Sequence, residues 1–179
     1  MISEAGGSLG LKLAGYHAMN SLRIEKGYRH WGHDIADEDS PLEAGLGFAV
    51  AMDKPGGFIG REALLLQKER GLTRRLVQFV MEDVEPLLYH NEPVLRDGEI
   101  VGRITSGMFG HTIGRAIGLS YVENRGEAVT AEFIQGGHFE IEVAGARLRA
   151  KASLKPLYDP ENLRVKDVER RTLKHVAQA

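Results

Sequence analysis

From residue 72 to about residue 156, apolar positions recur every second residue, the period of a half-buried strand. This alternation predicts strands at 74–81, 92–96, 99–105, 115–122, 128–134, 138–143 and 147–154. Asp97-Gly98 and Gly136-Gly137 fall between such runs and have the residue types of hairpin turns. Short strands at regular spacing, separated by glycine turns, predict a closed antiparallel barrel or a sandwich.

Before residue 72 the pattern is mixed. Leu9, Leu13, Tyr16 and Ala18 sit near helical spacing, with Gly15 as an interruption. Ser21 to Lys26 alternates, which predicts a strand with Leu22 and Ile24 toward the core and Arg23 and Glu25 together on the other face. A polar, histidine-rich loop follows. Gly47 to Met52 predicts a second, more buried strand, and Lys54-Pro55-Gly56-Gly57 a turn. Ile59 to Arg70 reads as a helix with Ile59, Ala63 and Leu66 on one face, Glu62 in its first turn and Gly71 as its stop. The expected fold is an α+β segment over residues 1–71 followed by an antiparallel β-barrel over 72–163. Residues 164–179, with Lys166, Arg170, Arg171 and Lys174, read as a charged tail or terminal helix. No internal repeat or low-complexity tract is evident.

Composition narrows the choice of function. The chain has 179 residues, long enough to bury a core without disulfides or metal. It has no cysteine, which excludes a disulfide scaffold, a cysteine zinc site, an iron–sulfur centre and cysteine nucleophilic catalysis. Its 22 glycines are about 12% of the chain, against ~7% in average proteins, and fit the turns of a β-rich fold. With 23 basic and 25 acidic residues the surface is not built to neutralise phosphates, so nucleic acid is not an expected partner. No apolar run approaches the roughly 18 residues of a membrane span. Met1-Ile2-Ser3-Glu4-Ala5 carries no basic region before an apolar stretch, so no targeting signal is read there and the expected compartment is the cytoplasm.

Few residues suggest chemistry. The glycine-dense segment Gly107 to Gly114 is neither a P-loop nor G-x-G-x-x-G, and reads as chain reversals between strands. No G-x-S-x-G is present. His30-Trp31-Gly32-His33-Asp34 places two imidazoles and a carboxylate within five residues, as ligands converging on a metal or as solvated side chains. Arg23 and Glu25 make either a surface ion pair or the polar lining of a pocket, where the planar donor fork of Arg suits a carboxylate or a heteroaromatic edge. Trp31, the only tryptophan, is either a packing aromatic or a stacking wall for a flat ligand. These residues by themselves assign no catalytic group and no metal.

Several segments, in order, resemble one family. Gly15 to Ile35, containing Leu22-Arg23-Ile24-Glu25 and the run His30-Trp31-Gly32-His33-Asp34, is similar to the "R-L-E-x-G … Y-G-x-D" segment of the glycine-cleavage T-protein (aminomethyltransferase) superfamily. Ser40 to Gly47, Phe58 to Leu64, Ile104-Thr105-Ser106-Gly107 and Lys155 to Pro160 continue the resemblance. His30 to Asp34, Leu87-Leu88-Tyr89-His90 and Pro156 to Pro160 are closer to the folate-binding region of dimethylglycine and sarcosine dehydrogenases.

The resemblance implies the end of a second α+β subdomain plus the family's C-terminal barrel. It implies one-carbon transfer from an amine to tetrahydrofolate, giving 5,10-methylenetetrahydrofolate. Folate is the implied partner, and FAD belongs to a separate domain of full-length relatives. Cofactor-binding roles carry over to Arg23, Glu25, Trp31 and Tyr158, with Trp31 standing for the family's tyrosine. The family's catalytic aspartate lies in its earlier half and has no counterpart among these residues, so no catalytic residue is assigned. A partner carrying that half, or a flavin domain or subunit, is implied, as is self-association through a face left open. The compartment becomes the mitochondrial matrix if the source is eukaryotic. The alternative is a non-catalytic folate-binding or interaction module. Its iron–sulfur-repair version has a Lys-Gly-Cys-Tyr motif, and here Lys26-Gly27-Tyr28 stands without the cysteine.

Overall fold

The computed structural model describes residues 1–166. Its order is α1 (Ile2–Gly7), α2 (Tyr16–Glu25), a 3₁₀ turn (Gly47–Ala49), α3 (Arg61–Arg70), β1 (Arg74–Met81), β2 (Pro93–Arg96), β3 (Glu99–Gly110), β4 (Arg115–Glu123), α4 (Ala131–Gln135), β5 (Phe139–Val143), β6 (Ala146–Ser153) and α5 (Leu163–Lys166). The six strands form a closed barrel in the order β1-β4-β3-β2-β5-β6, with every pairing antiparallel. The expected α+β segment followed by an antiparallel β-barrel is therefore the observed architecture, with the first segment helical. Most of the expected tail, 167–179, lies outside the described residues.

The barrel interior is filled by the inward set of the alternation, including Val77, Phe79, Met81, Val94, Ile104, Ala116, Val122 and Ile141. β4 is buried on both faces. Ala116 and Val122 point into the barrel, while Ile117 and Leu119 point outward beneath Ile24 of α2 and Leu76. This outer cluster docks α2 on the barrel wall and places the candidate site. The β2–β3 turn uses Asp97 and Gly98 at φ 52° and 87°, as the sequence predicts.

Four expectations are corrected. Residues 128–134 do not form a strand: Thr130 accepts a bond from the Phe133 N–H at 3.1 Å and starts α4, with Ile134 buried. Gly136-Gly137 consequently joins a helix to β5. The last hairpin turns instead at Ala144 and Gly145, with φ 50° and 81°. Gly47–Met52 is a 3₁₀ turn and loop closed by bonds from Ala49 N–H to Leu46 and from Val50 N–H to Gly47, and Phe48 is exposed. Residues 9–13 are not helical, although Tyr16 begins α2.

The fourth correction bears on function. Residues 21–26 form the end of α2 and not a strand. The buried residues are Ser21, Ile24 and Glu25, the i, i+3, i+4 spacing of one helix face, and Leu22 is 63% exposed. Six alternating residues fit both periods, and the chain on either side selects the helix. Gly15 lies just before α2 as its N-cap, where it does not weaken the helix. At the other end, Tyr28 N–H bonds Arg23 C=O at 2.8 Å and Gly27 N–H bonds Ile24 C=O at 3.0 Å. Gly27 has φ +67° between them, which makes a Schellman stop. The helix expected over Ile59 to Arg70 forms as α3 from Arg61, leaving Ile59 before its N-cap Gly60, and none of its residues is buried, so Ile59, Ala63 and Leu66 are uncovered.

Candidate functional site

A cleft of about 250 Å³ opens where the exposed side of α2 meets β3, the 28–35 loop and the segment before β2. Arg23 is at its floor, beside Asn20 and Ser106. Tyr16 and Tyr89 are walls, and His30, His33, His90, Thr105, Gly107 and Met108 complete the lining. Gly107 lets the segment before β2 come this close. A Cβ there would lie 2.3 Å from the carbonyl carbon of Leu88, so any side chain would push Tyr89 and His90 away.

The guanidinium of Arg23 is held from three elements. Its Nε donates to Asn20 Oδ1 at 3.2 Å within α2. Nη1 donates to Asp34 Oδ2 at 2.6 Å and to the Tyr28 carbonyl at 3.3 Å, and Nη2 donates to Ser106 Oγ on β3 at 2.9 Å. A guanidinium has five N–H groups, so these four bonds leave one, on Nη2. Asp34 is 1% exposed and fully engaged. It also accepts from His30 N–H at 2.9 Å and from Thr105 Oγ1 at 2.6 Å. An ion pair this buried is favourable only when its remaining lone pairs are satisfied, as they are here.

Behind this network lies a second polar layer. Arg29 donates to the carbonyls of Gly27 at 2.6 Å and Ala44 at 2.9 Å. Burial lowers the pKa of its guanidinium from the ordinary value, against the opposing pull of Asp34 and Tyr121. Burial pushes the Tyr121 phenol up to about 12, although Arg74 sits 4.3 Å over its ring and draws it the other way. The Tyr121 hydroxyl and His30 Nδ1 are buried with no hydrogen-bond partner.

Of the four residues expected at a cofactor site, the structure brings only Arg23 to the cleft. Glu25 is buried behind it. One of its carboxylate oxygens accepts the N–H groups of Thr112 at 2.6 Å and Ile113 at 2.9 Å, so Glu25 clamps the β3–β4 turn onto α2. Gly110 makes room for it, since a Cβ there would come within 3.0 Å of Glu25. Trp31 is 68% exposed and does not line the cleft. Tyr158 sits at the C-terminal end of α2, its N–H on the Glu25 carbonyl at 3.1 Å and Arg164 stacked 5.5 Å over its ring. Asn20, Ser106, Tyr89 and His90 were assigned no role in the sequence, and Asp34 only a share in a metal alternative. Among the described residues no three ligating side chains converge to hold a metal ion.

Residues 74–159 match the glycine cleavage T-protein C-terminal barrel domain, and residues 1–54 match the GCVT N-terminal domain. The chain belongs to the glycine-cleavage T-protein superfamily. It is 47% identical over 163 residues to a 4-methylaminobutanoate oxidase (formaldehyde-forming) of Paenarthrobacter nicotinovorans, covering 91% of this chain and 19% of that protein. It is 44% identical over 168 residues to a mitochondrial sarcosine dehydrogenase of Homo sapiens, covering 93% of this chain and 18% of the relative. The chain thus spans about a fifth of the length of these T-protein-related relatives. The fold is that of a crystal structure of the glycine cleavage system aminomethyltransferase T from Bartonella henselae. The TM-score is 0.75 at 23% identity, over 88% of this chain and 43% of that one. Among the described residues no helix is long and apolar enough to cross a membrane.

Proposed function

We propose that the chain supplies the tetrahydrofolate-facing wall of a one-carbon transfer unit that passes the carbon of an N-methylated amine to folate, giving 5,10-methylenetetrahydrofolate. The observation that carries this reading is the Arg23 cleft: a polar floor fixed from α2, the 28–35 loop and β3, with tyrosines on the walls. A flat heteroaromatic ligand with polar edges suits such a lining. The cleft fits one end of that ligand. Its volume of about 250 Å³ falls below the ~300–1,000 Å³ of complete small-molecule sites.

Within this reading Arg23 directs its free N–H at the folate and Tyr16 and Tyr89 flank it. Trp31 and Tyr158 contribute only if a further chain segment brings the ligand to them. Glu25 positions the hairpin turn. The folate, when bound, accepts the one-carbon unit. This chain's residues bind and orient it, and amine oxidation belongs to a flavin domain or subunit outside these residues. The compartment that goes with this reading is the cytoplasm, or the matrix in a eukaryote. Calorimetric titration of the chain with folinic acid tests it. Binding that weakens about ten-fold in Arg23→Ala is expected, and an absence of heat with the unaltered chain overturns it. Methylenetetrahydrofolate formed from sarcosine by the chain alone would overturn its non-catalytic part.

A second reading, an interaction module docking on a partner that carries further family elements, is favoured by one observation. Leu9, Leu13, Tyr16, Met19 and Leu22 are all exposed near the start of the chain. A dimer or larger species in sedimentation favours this reading, and a monodisperse monomer counts against it.

A further inference from the structure

The charge around the cleft is uneven in a way the whole chain is not. Acidic residues outnumber basic ones, 25 to 23, yet among the described residues the only carboxylate bonded to the Arg23 floor is Asp34, which is buried and bonded at both oxygens. Three of the chain's seven histidines line the cleft. His30 and His33 face each other with ring centroids 4.8 Å apart and planes tilted by 60°. His33 and His90 are exposed, and no protein acceptor among the described residues takes a bond from either ring. An imidazole offers at least one N–H, and Arg23 retains one of its own. The mouth of the cleft is therefore rich in unpaired donors, and among the described residues no carboxylate other than Asp34 is bonded to its floor. The nearby Glu92 does not line it, accepts the Tyr89 N–H at 2.9 Å through one oxygen and keeps the other buried.

We propose that His33 and His90, together with the free Nη2–H of Arg23, form a subsite that binds a carboxylate group. The assignment rests on the folate-facing reading of the cleft for its location, and on the donor set for its chemistry. Arg23 alone is a poor fork for a carboxylate, because Asp34 and Ser106 already occupy it. Its single free N–H makes one bond and the imidazoles make the others. Charge-assisted bonds of this kind are among the stronger hydrogen bonds, so removal of two imidazoles changes affinity by about ten-fold or more. The carboxylate has two sources of the same chemistry: the glutamyl end of a folate, or an N-methylamino acid such as those in the names of the similar oxidase and dehydrogenase.

Calorimetric titrations of the unaltered chain and of the double variant His33→Gln/His90→Gln separate the outcomes. The probes are folinic acid, 4-methylaminobutanoate and the carboxylate-free 6-methyltetrahydropterin. Both side chains are exposed, so the variant's unfolding midpoint stays within ~2 °C of the parent's. The expected result is a ten-fold or larger loss of affinity for one carboxylate probe, with less than two-fold change for the pterin. Loss confined to folinic acid identifies the glutamyl end. Binding of 4-methylaminobutanoate without folinic acid keeps the subsite and removes the folate reading. The subsite is overturned if neither carboxylate binds the unaltered chain, if the double variant binds both as the parent does, or if pterin affinity falls as far as carboxylate affinity.

Discussion

The barrel and the helical segment before it treat the same kinds of residue differently. Between Arg74 and Ser153 large apolar side chains alternate and the ring of strands covers one set completely, Phe79, Ile104 and Ile141 among them. Before residue 72, Leu9, Leu13, Leu22, Phe48 and Ile59 are exposed, and the main apolar anchor is Ile24 against Ile117 and Leu119. In its place the first segment is tied down by polar bonds: Arg23 to Asp34, Glu25 to the β3–β4 turn, Arg74 to Asp39 and Glu43. The barrel core is held by burial, whose driving force is non-directional. The cleft is held by directional bonds, which fix a guanidinium in one orientation, as a binding site requires.

The comparison predicts a ranking of damage. Phe79→Ala in the barrel removes a fully buried ring that packs edge-on against Phe139 at 5.3 Å, and should lower stability by about 3–5 kcal/mol in urea unfolding. Leu22→Ala, an equally apolar position of the first segment, should change stability by no more than ~0.5 kcal/mol. A loss near that of Phe79→Ala would mean that α2 is packed against something the exposure of Leu22 does not reveal.

Asp34→Ala comes next. It leaves Arg23 without its carboxylate and the His30 N–H without an acceptor, while the Thr105 hydroxyl keeps only the Leu119 carbonyl at 3.1 Å, and should cost about 3 kcal/mol. Asp34→Asn keeps the shape and should lose less stability than the alanine variant. It should nevertheless weaken folinic acid binding, because Arg23 is no longer held by a charge. If ligand affinity survives Asp34→Asn unchanged, the polar network is structural scaffolding only.

These two regions also differed in how far the sequence could be read. Closure of the barrel makes burial follow the period, so β1 was legible to the residue and the other five strands within a few residues, β3 excepted. There Ser106 to Gly110 did not alternate clearly, because β3 bulges between Ile104 and Ser106. Thr130 before Ala131-Glu132 was a helix start that the apolar count concealed. In the first segment, residues 21–26 fit a strand and a helix equally, and the Gly15 N-cap and the Gly27 stop on either side decide for the helix. Arg23 is a candidate both from its pairing with Glu25 and from the family motif. Glu25 shares the motif but lies away from the cleft, since spacing cannot say that its carboxylate reaches the β3–β4 turn. Asp34, 11 residues on, closes the same family motif as Arg23, but Ser106, 83 residues away, and His90 are too distant for any local pattern to join them to it.

The smallest expected effect lies at the seam between the two regions. Tyr121 projects from β4 toward Arg74, its hydroxyl buried without a partner, and burial raises its pKa to about 12. An unfolded tyrosine ionises near 10, so above that pH the unfolded state loses the proton first. Stability linked to this group is present in full below pH 10 and is lost as pH rises toward 12. Tyr121→Phe removes both the unpaired hydroxyl and the titration. At pH 7 the variant should be as stable as the parent to within ~0.5 kcal/mol, or slightly more so, because no hydrogen bond is given up. Between pH 10 and 11.5 its unfolding midpoint should fall less steeply than the parent's. Parallel slopes would mean that the hydroxyl ionises in the folded protein as it does in water. Water would then reach the seam, and the polar ties of the first segment would be looser than their bond lengths indicate.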